Sequence, residues 1–486
     1  MNKIIKGLLA IVSISLLACN KYLDVQPNDR LIDIQVFTSK SSIEKALNGI
    51  YINLVSDNLY GGSLTVSTVD VLAQYYNTPG LNRFASSGNY QFLDGSFLQS
   101  DISAIWGNAY TNILNINEFI KGTGGATENI ISPDEKALLL GEAYGLRAFV
   151  LFDMLRLFGP VYAVDSSSET APYPTQPATR LSPLIPARQF MDSLVNDLGM
   201  AASLLAKDPI IQYGIQPFDN TDVSGNFFRA RNRRMNYYAV KSLLARVYLY
   251  RGDKANALKN ALDVITISGS IFPWTPESDS RPGIKDPNRI FSSEIIFGLE
   301  NTRRDAMHQK YFAASNLQTS NTVAKATLLA PLSANLAAIF ENQDNDYRLR
   351  SSWTIDQKAN YNFKTFIKFA PVTTTTSPSS SSKTIQPLIR LSELYYIAAE
   401  CSGDRSYLNT VRANRGLIIP IDAGANISDE ITKEYRKEFF GEGQLFFYYK
   451  RKNFATILSG SSGSSSITMD KSKYVLPLPL SETQYR

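Results

Sequence analysis

The residues most able to do covalent chemistry in this sequence are its two cysteines, Cys19 and Cys401. Cys19 closes the run Leu16-Leu17-Ala18-Cys19, behind Lys3, Lys6 and the apolar stretch Ile4 to Leu17. A positive start, a short apolar run and a small residue before a cysteine are the marks of a leader that is cut to expose a thiol for lipid attachment. The run is too short and too one-sided to be a spanning helix. Residues 1–18 are therefore expected to be a lipoprotein signal peptide, with a diacylglycerol on the Cys19 thiol; two or more acyl chains anchor stably where one is marginal. Cys401, which follows a helix-like apolar stretch, then has no disulfide partner and is expected to be a small buried hydrophobe.

Catalytic constellations are scarce. A zincin motif needs two histidines, and His308 is the only one in the chain. CxxC, GxxxxGK and GxSxG are absent, and Gly122-Thr123-Gly124-Gly125-Ala126-Thr127 fails the dinucleotide fingerprint. The 44 acidic residues leave a carboxylate-pair glycosidase as the enzymatic rival. No catalytic residue, metal ligand or cofactor is assigned, and the expectation is a protein that is not an enzyme. The formal charge of +5 drops to about +3 once Lys3 and Lys6 leave, too weak and too scattered for nucleic-acid binding. The 26 Tyr, 25 Phe and 3 Trp make 11% of the chain, an excess suited to stacking on ligand faces.

The elements that would position such residues are mostly helical. Residues 19–40 read as a lipidated tether. Apolar residues then recur at helical spacing through Ile43, Ala46, Leu47, Ile50, Tyr51 and Leu54, and again from Ile105 to Phe119. Pro133-Asp134-Glu135 opens a long helix that Gly159-Pro160 stops, Gly159 being expected to take a left-handed conformation. Ser166 to Pro186 reads as a surface loop and Phe190 to Leu205 as another helix. Tyr237 to Ile265 has the small-residue spacing of a tetratricopeptide hairpin, with Ala245, Tyr248, Gly252, Ala257 and Ala261 at the key places. Helical signals thin out from Ser268 to Thr384, where Ser292 to Leu299 and Trp353 resemble strand residues. They return at Ile389 to Glu400 and Ser428 to Phe440, and Gly460 to Ser466 reads as a flexible loop. Trp106 falls on an apolar helix face and is expected in the core.

Several segments, in order along nearly the whole chain, resemble the SusD/RagB family of nutrient-binding lipoproteins. They are Cys19 to Pro27 (CNKYLDVQP), Gly141 to Val161 (GEAYGLRAFVLFDMLRLFGPV), Pro387 to Glu400 (PLIRLSELYYIAAE), Leu408 to Gly416 (LNTVRANRG), Glu434 to Gly443 (EYRKEFFGEG) and Val475 to Glu482 (VLPLPLSE). Departures are confined to Leu445 and Tyr448, where the family often has an Arg and an Asp while Arg451 is kept, and to the polar tail that family members carry beyond the Leu-Pro-Leu-Pro strand. The resemblance implies a mainly α fold. Tetratricopeptide-like hairpins (about 41–265 and 387–455 of a 41–486 domain) form a scaffold, and an irregular segment of about 268–384, with a few short strands, packs across it. It also implies a surface-exposed lipoprotein of the outer membrane that captures oligosaccharides and delivers them to a partner SusC-like TonB-dependent barrel. The alternatives are the same architecture binding peptides, or a surface protein that binds only a partner protein. In the family, ligand residues lie on loops outside the scaffold. That places the candidates at Tyr75, Tyr76 and Asn77 in the first irregular region, and at Trp274, Tyr311 and Phe312 in the later one.

Overall fold

The computed structural model describes residues 36–93, 97–177, 181–219, 221, 224–316, 327–355 and 363–486. The leader, Cys19 and most of the expected tether lie outside the described residues. Eleven described helices have eight residues or more: α1 Lys40–Leu54, α2 Phe97–Gly125, α3 Pro133–Phe158, α4 Ala187–Leu204, α5 Tyr237–Arg251, α6 Lys254–Ile265, α7 Arg304–Phe312, α8 Leu391–Ser402, α9 Arg405–Ala413, α10 Ile427–Glu438 and α11 Leu445–Lys452. Eight short strands accompany them: β1 Glu169–Pro172, β2 Leu184–Pro186, β3 Ile295–Glu300, β4 Trp353–Ile355, β5 Lys364–Phe366, β6 Ile385–Arg390, β7 Thr456–Leu458 and β8 Ser466–Thr468. No described helix is long and apolar enough to cross a membrane.

Local signals start and stop these helices. Ser39 caps α1 by accepting the Ser42 N–H, and Ile43, Leu47, Ile50 and Leu54 then form its buried stripe. Ser132 caps α3, accepting the Glu135 N–H while its own hydroxyl donates to the Glu135 carboxylate, and Pro133 sits at the first helical position. Between α5 and α6, Gly252 takes φ +90° and Asp253 caps the next helix through the Asn256 N–H, which makes the expected hairpin. Successive helices pack as neighbours, α1 on α2, α2 on α3, α3 on α4, α4 on α5, α5 on α6 and α6 on α8, so the scaffold is a stack of helical hairpins. Trp106 is buried, as its apolar helix face implies.

Buried arginines lock the layers together. Arg147 on α3 holds Asp197 on α4 through two hydrogen bonds of 2.8 and 2.7 Å and reaches Asn117 on α2 at 2.8 Å. At the other end, the Glu438 carboxylate on α10 meets Arg348, Arg390 and Arg415, each fully or almost fully buried. Arg415 also holds Glu294 at 2.7 Å, and Arg348 holds Glu434 at 2.9 Å. This network ties the irregular segment to the C-terminal helices. Burial works against ionisation of Glu438, but the three arginines hold its carboxyl well below the usual range.

Several elements differ from expectation. The Ser166 to Pro186 stretch carries the antiparallel pair β1–β2 instead of a bare loop. Gly159 is extended, with φ −79°, so its role is close packing: a Cβ there would lie 2.6 Å from the Leu155 carbonyl oxygen and 2.7 Å from Thr170 Oγ1. Ile389 and Arg390, expected to open a helix, instead end β6, which pairs antiparallel with β3. Of the Gly460 to Ser466 stretch, all but Ser466, which opens β8, lies in the turn of the β7–β8 hairpin. The Leu476 to Leu480 run joins no sheet; Pro477 and Pro479 have no N–H to give a ladder, and only Leu476 docks, donating to the Leu157 carbonyl at 3.0 Å.

Candidate ligand-binding face

The stretch 57–93 lies against α7 and the chain that follows it: Asn77 donates its N–H to the Ala330 carbonyl at 2.9 Å, and Asn82 Nδ2 donates to the Leu328 carbonyl at 2.8 Å. Under this surface sits a layer of rings. Tyr75 stacks on Phe440 at 3.8 Å between centroids, Tyr76 meets Phe312 at 6.2 Å, and Phe84 meets Tyr311 at 6.0 Å. Phe312 continues the layer to Phe366 at 5.2 Å.

Five of the six expected ligand residues are thus brought together, but four of them as the hidden underside of the face. Tyr75, Tyr76, Tyr311 and Phe312 are each 3% exposed or less and cannot offer a free ring face. Their hydroxyls are committed as well: Tyr75 donates to the Tyr435 carbonyl, and Tyr311 donates to Asp57 Oδ1 at 2.8 Å. Asn77 is half-buried and serves the backbone bridge to Ala330. Trp274 is elsewhere, half-buried against Tyr395 with the Arg415 guanidinium 5.5 Å from its ring centre. The expectation of an exposed platform at these positions is corrected by this packing, because Phe440 covers Tyr75 while Tyr311 and Phe312 of α7 pack against Phe84 and Tyr76.

What the layer supports is a different surface set. Phe97, at the start of α2, is 47% exposed, with Leu81 and Leu93 at 63% and 78%. The Arg83 guanidinium lies 4.9 Å from the Phe84 ring centre and 5.2 Å from that of Phe97, bridging the buried ring and the exposed one. The same guanidinium grips Asp101, one helical turn from Phe97, through hydrogen bonds of 2.9 and 2.6 Å. Burial opposes its charge, yet Asp101 holds the Arg83 pKa above its ordinary value. Nearby, Asp57 accepts from Tyr311 and from Lys310, and burial followed by Asp57 pushes the Tyr311 hydroxyl well above the usual tyrosine range.

This arrangement sets an exposed aromatic ring beside paired charged side chains. Phe97 offers an apolar face for C–H groups, while Arg83, Asp101, Lys310 and Asp57 offer donors and acceptors in fixed geometry. Phe97, Arg83 and Asp101 escaped the sequence reading. The available signal was the i, i+4 pair Phe97–Asp101, with the aromatic falling at a helix start and not within the buried stripe.

Residues 297–475 match the model of the SusD family. Among curated proteins, the chain is 24% identical over 278 residues to a SusD-like protein of Bacteroides ovatus, covering 54% of this chain and 44% of that relative. It is 24% identical over 323 residues to SusD-like protein P2 of Formosa agariphila, covering 62% and 57%. The chain spans about half the length of these relatives. Among solved structures, a SusD superfamily protein from Bacteroides thetaiotaomicron superposes with a TM-score of 0.70 at 23% identity, over 92% of this chain and 98% of that one. Surface glycan-binding protein A from Bacteroides fluxus superposes with a TM-score of 0.63 at 18% identity, over 92% and 97%. These likenesses establish a shared fold.

Proposed function

From the match of residues 297–475 to the SusD family model and the shared fold, we propose that the chain is a SusD-like protein that captures oligosaccharides on the Phe97 face and hands them to a partner SusC-like TonB-dependent barrel. The observation that carries this reading is the exposed Phe97 ring clamped beside the Arg83–Asp101 pair. An aromatic face stacks on the C–H side of a pyranose, and a fork of donors next to a carboxylate fixes its hydroxyls. The buried ring layer beneath keeps the face in place before the ligand arrives, so little ordering is lost on binding. A related structure named as a surface glycan-binding protein supports a carbohydrate ligand. One exposed ring gives weak attraction, so affinity in the micromolar to millimolar range is expected, which suits transfer onward.

Anchoring through Cys19 would hold the protein at the outer membrane, facing the exterior, where it can close over the barrel. The test is twofold. Calorimetry of the protein against a panel of oligosaccharides should find at least one ligand, and Phe97→Ala should weaken it about tenfold or more. Mild-detergent extraction from native membranes should bring down a large barrel with the protein. Extraction of the protein alone would end the transporter reading; ligands that are all peptides would move the face to peptide capture.

A further inference from the structure

We propose that a second saccharide subsite, for a single neutral sugar ring, lies in the cleft floored by Trp106 and Tyr110 of α2. It rests on the glycan-binding reading above and adds a site to it. Trp106 is nine residues beyond Phe97, which at 100° per residue turns it about half a turn around the helix and roughly 14 Å along it. The two sites therefore lie on opposite sides of α2, and one cannot be an extension of the other.

The cleft is built from one face of α2, where Trp106, Tyr110 and Asn117 follow at helical spacing, from the chain after β1, and from the C-terminal helical turn. The Trp106 and Tyr110 rings lie 4.5 Å apart at 42°, giving a short aromatic floor. Its polar groups are already spent inside the protein. Trp106 Nε1–H donates to Glu482 at 3.3 Å, Tyr110 donates to the Pro172 carbonyl at 2.9 Å, and the Asn117 amide donates to the Pro174 carbonyl at 3.0 Å. Arg147 holds the Asn117 oxygen from below at 2.8 Å. The floor is thus rigid; Trp106, 5% exposed, backs Tyr110, the half-buried ring that meets the cleft.

The rim supplies the polar groups. Arg486 donates to Glu482 at 2.8 Å and to the Ser182 carbonyl at 2.9 Å, which sets a paired arginine and carboxylate on one side of the opening. The Gln176 amide and the Ser182 side chain line the same opening. An aromatic floor with an amide, a hydroxyl and a paired arginine at the rim fits a hydroxylated ring with an apolar face. The cavity of about 190 Å³ is smaller than the roughly 300–1,000 Å³ of clefts for drug-sized ligands, which selects one ring over a chain of them.

Saturation-transfer NMR on the detergent-solubilised full chain, with glucose, galactose and N-acetylglucosamine as probes, tests this. Leu114 borders the cleft and is 41% exposed, so Leu114→Trp can fill the space without disturbing the core. At least one probe should show transfer. Measured in the Phe97→Ala background, so that only the cleft is read, Leu114→Trp should weaken it tenfold or more and Gln176→Ala should weaken it several-fold. Transfer that survives Leu114→Trp, or that disappears with Phe97→Ala, overturns the subsite. So does the absence of transfer from all three sugars while an oligosaccharide still binds the Phe97 face. If neither monosaccharides nor oligosaccharides bind, the glycan-binding reading falls with it.

Discussion

The carboxylate of Asp70 accepts the backbone N–H of Gly441 at 2.7 Å, joining the first irregular stretch to the turn after α10. Its other oxygen accepts the Gly443 N–H at 3.0 Å, so one side chain spans the Gly-Glu-Gly step. Both glycines have positive φ, +75° and +68°. At Gly443 a Cβ would lie 2.0 Å from the Leu64 carbonyl oxygen. Gly443→Ala should therefore cost about 3 kcal/mol or more, from left-handed strain plus the clash. Asp70→Ala should cost a similar amount, about 3 kcal/mol, because two buried N–H groups lose their acceptor. Urea unfolding of each variant reads this directly, and a loss under about 1 kcal/mol for either would contradict it.

Removing one member of the arginine–glutamate network should be severe. Arg415→Met keeps the volume but leaves the Glu294 and Glu438 carboxylates short of a partner at zero exposure. Breaking a buried pair in this way costs about 3–5 kcal/mol. The midpoint of chemical unfolding should fall accordingly, and an unchanged midpoint would mean that the network is not holding the irregular segment to α10.

Ligand and stability effects should separate cleanly. Phe97→Ala and Arg83→Ala should weaken oligosaccharide capture, with Phe97→Ala changing melting by little because the ring is half out of the protein. Tyr75→Ala should do the reverse. It opens a hole beside Phe440 and should cost about 3–5 kcal/mol, with any loss of binding following from the loss of fold. Thermal melts and calorimetry on the three variants check the pattern.

The chain's single imidazole gives a direct pH readout. Burial pushes the His308 pKa down to about 4. The folded form therefore prefers the neutral ring, and its stabilising share is complete above the unfolded value of about 6.5 and lost as pH falls toward 4. Glu400 adds a second step. Burial opposes its ionisation, but Arg451 and Lys452 hold it at about 2, so its share is present above the ordinary carboxylate range and lost below it. One histidine resonance, followed by NMR, should titrate near pH 4; titration near 6.5 would place the ring in water. Melting temperature should be level above pH 7, decline gently to about 5 and fall steeply beneath that.

The helical frame was legible because its signals are local. Ser132-Pro133-Asp134-Glu135, the Gly252-Asp253 turn and the stripe from Ile43 to Leu54 each act within a few residues. Strand β6 was hidden because its partner β3 is distant in sequence and Pro387 and the following helix mask its pattern. The ligand face was harder. Nothing in the residue types separates Tyr76 from Phe97; the difference is that α7, more than two hundred residues later, packs against the one and not the other. A ring's chemistry is local, but whether it meets water is decided by the whole chain.

The antiparallel pairing of β3 with β6 has an evolutionary consequence. Where the chain leaves β3, the Asn301 N–H donates to the Thr384 carbonyl at 2.7 Å, so residues 301–384 depart from and return to the scaffold through one neck. A loop closed at its base costs little more when it lengthens, about 0.6 kcal/mol for each doubling. Insertions at its outer turns would leave the helical stack and the neck as they are. The segment can thus vary in length at its outer turns, while Arg348, bound to Glu434 and Glu438, and Phe312 and Phe366 in the ring layer hold its inner part to the inherited frame.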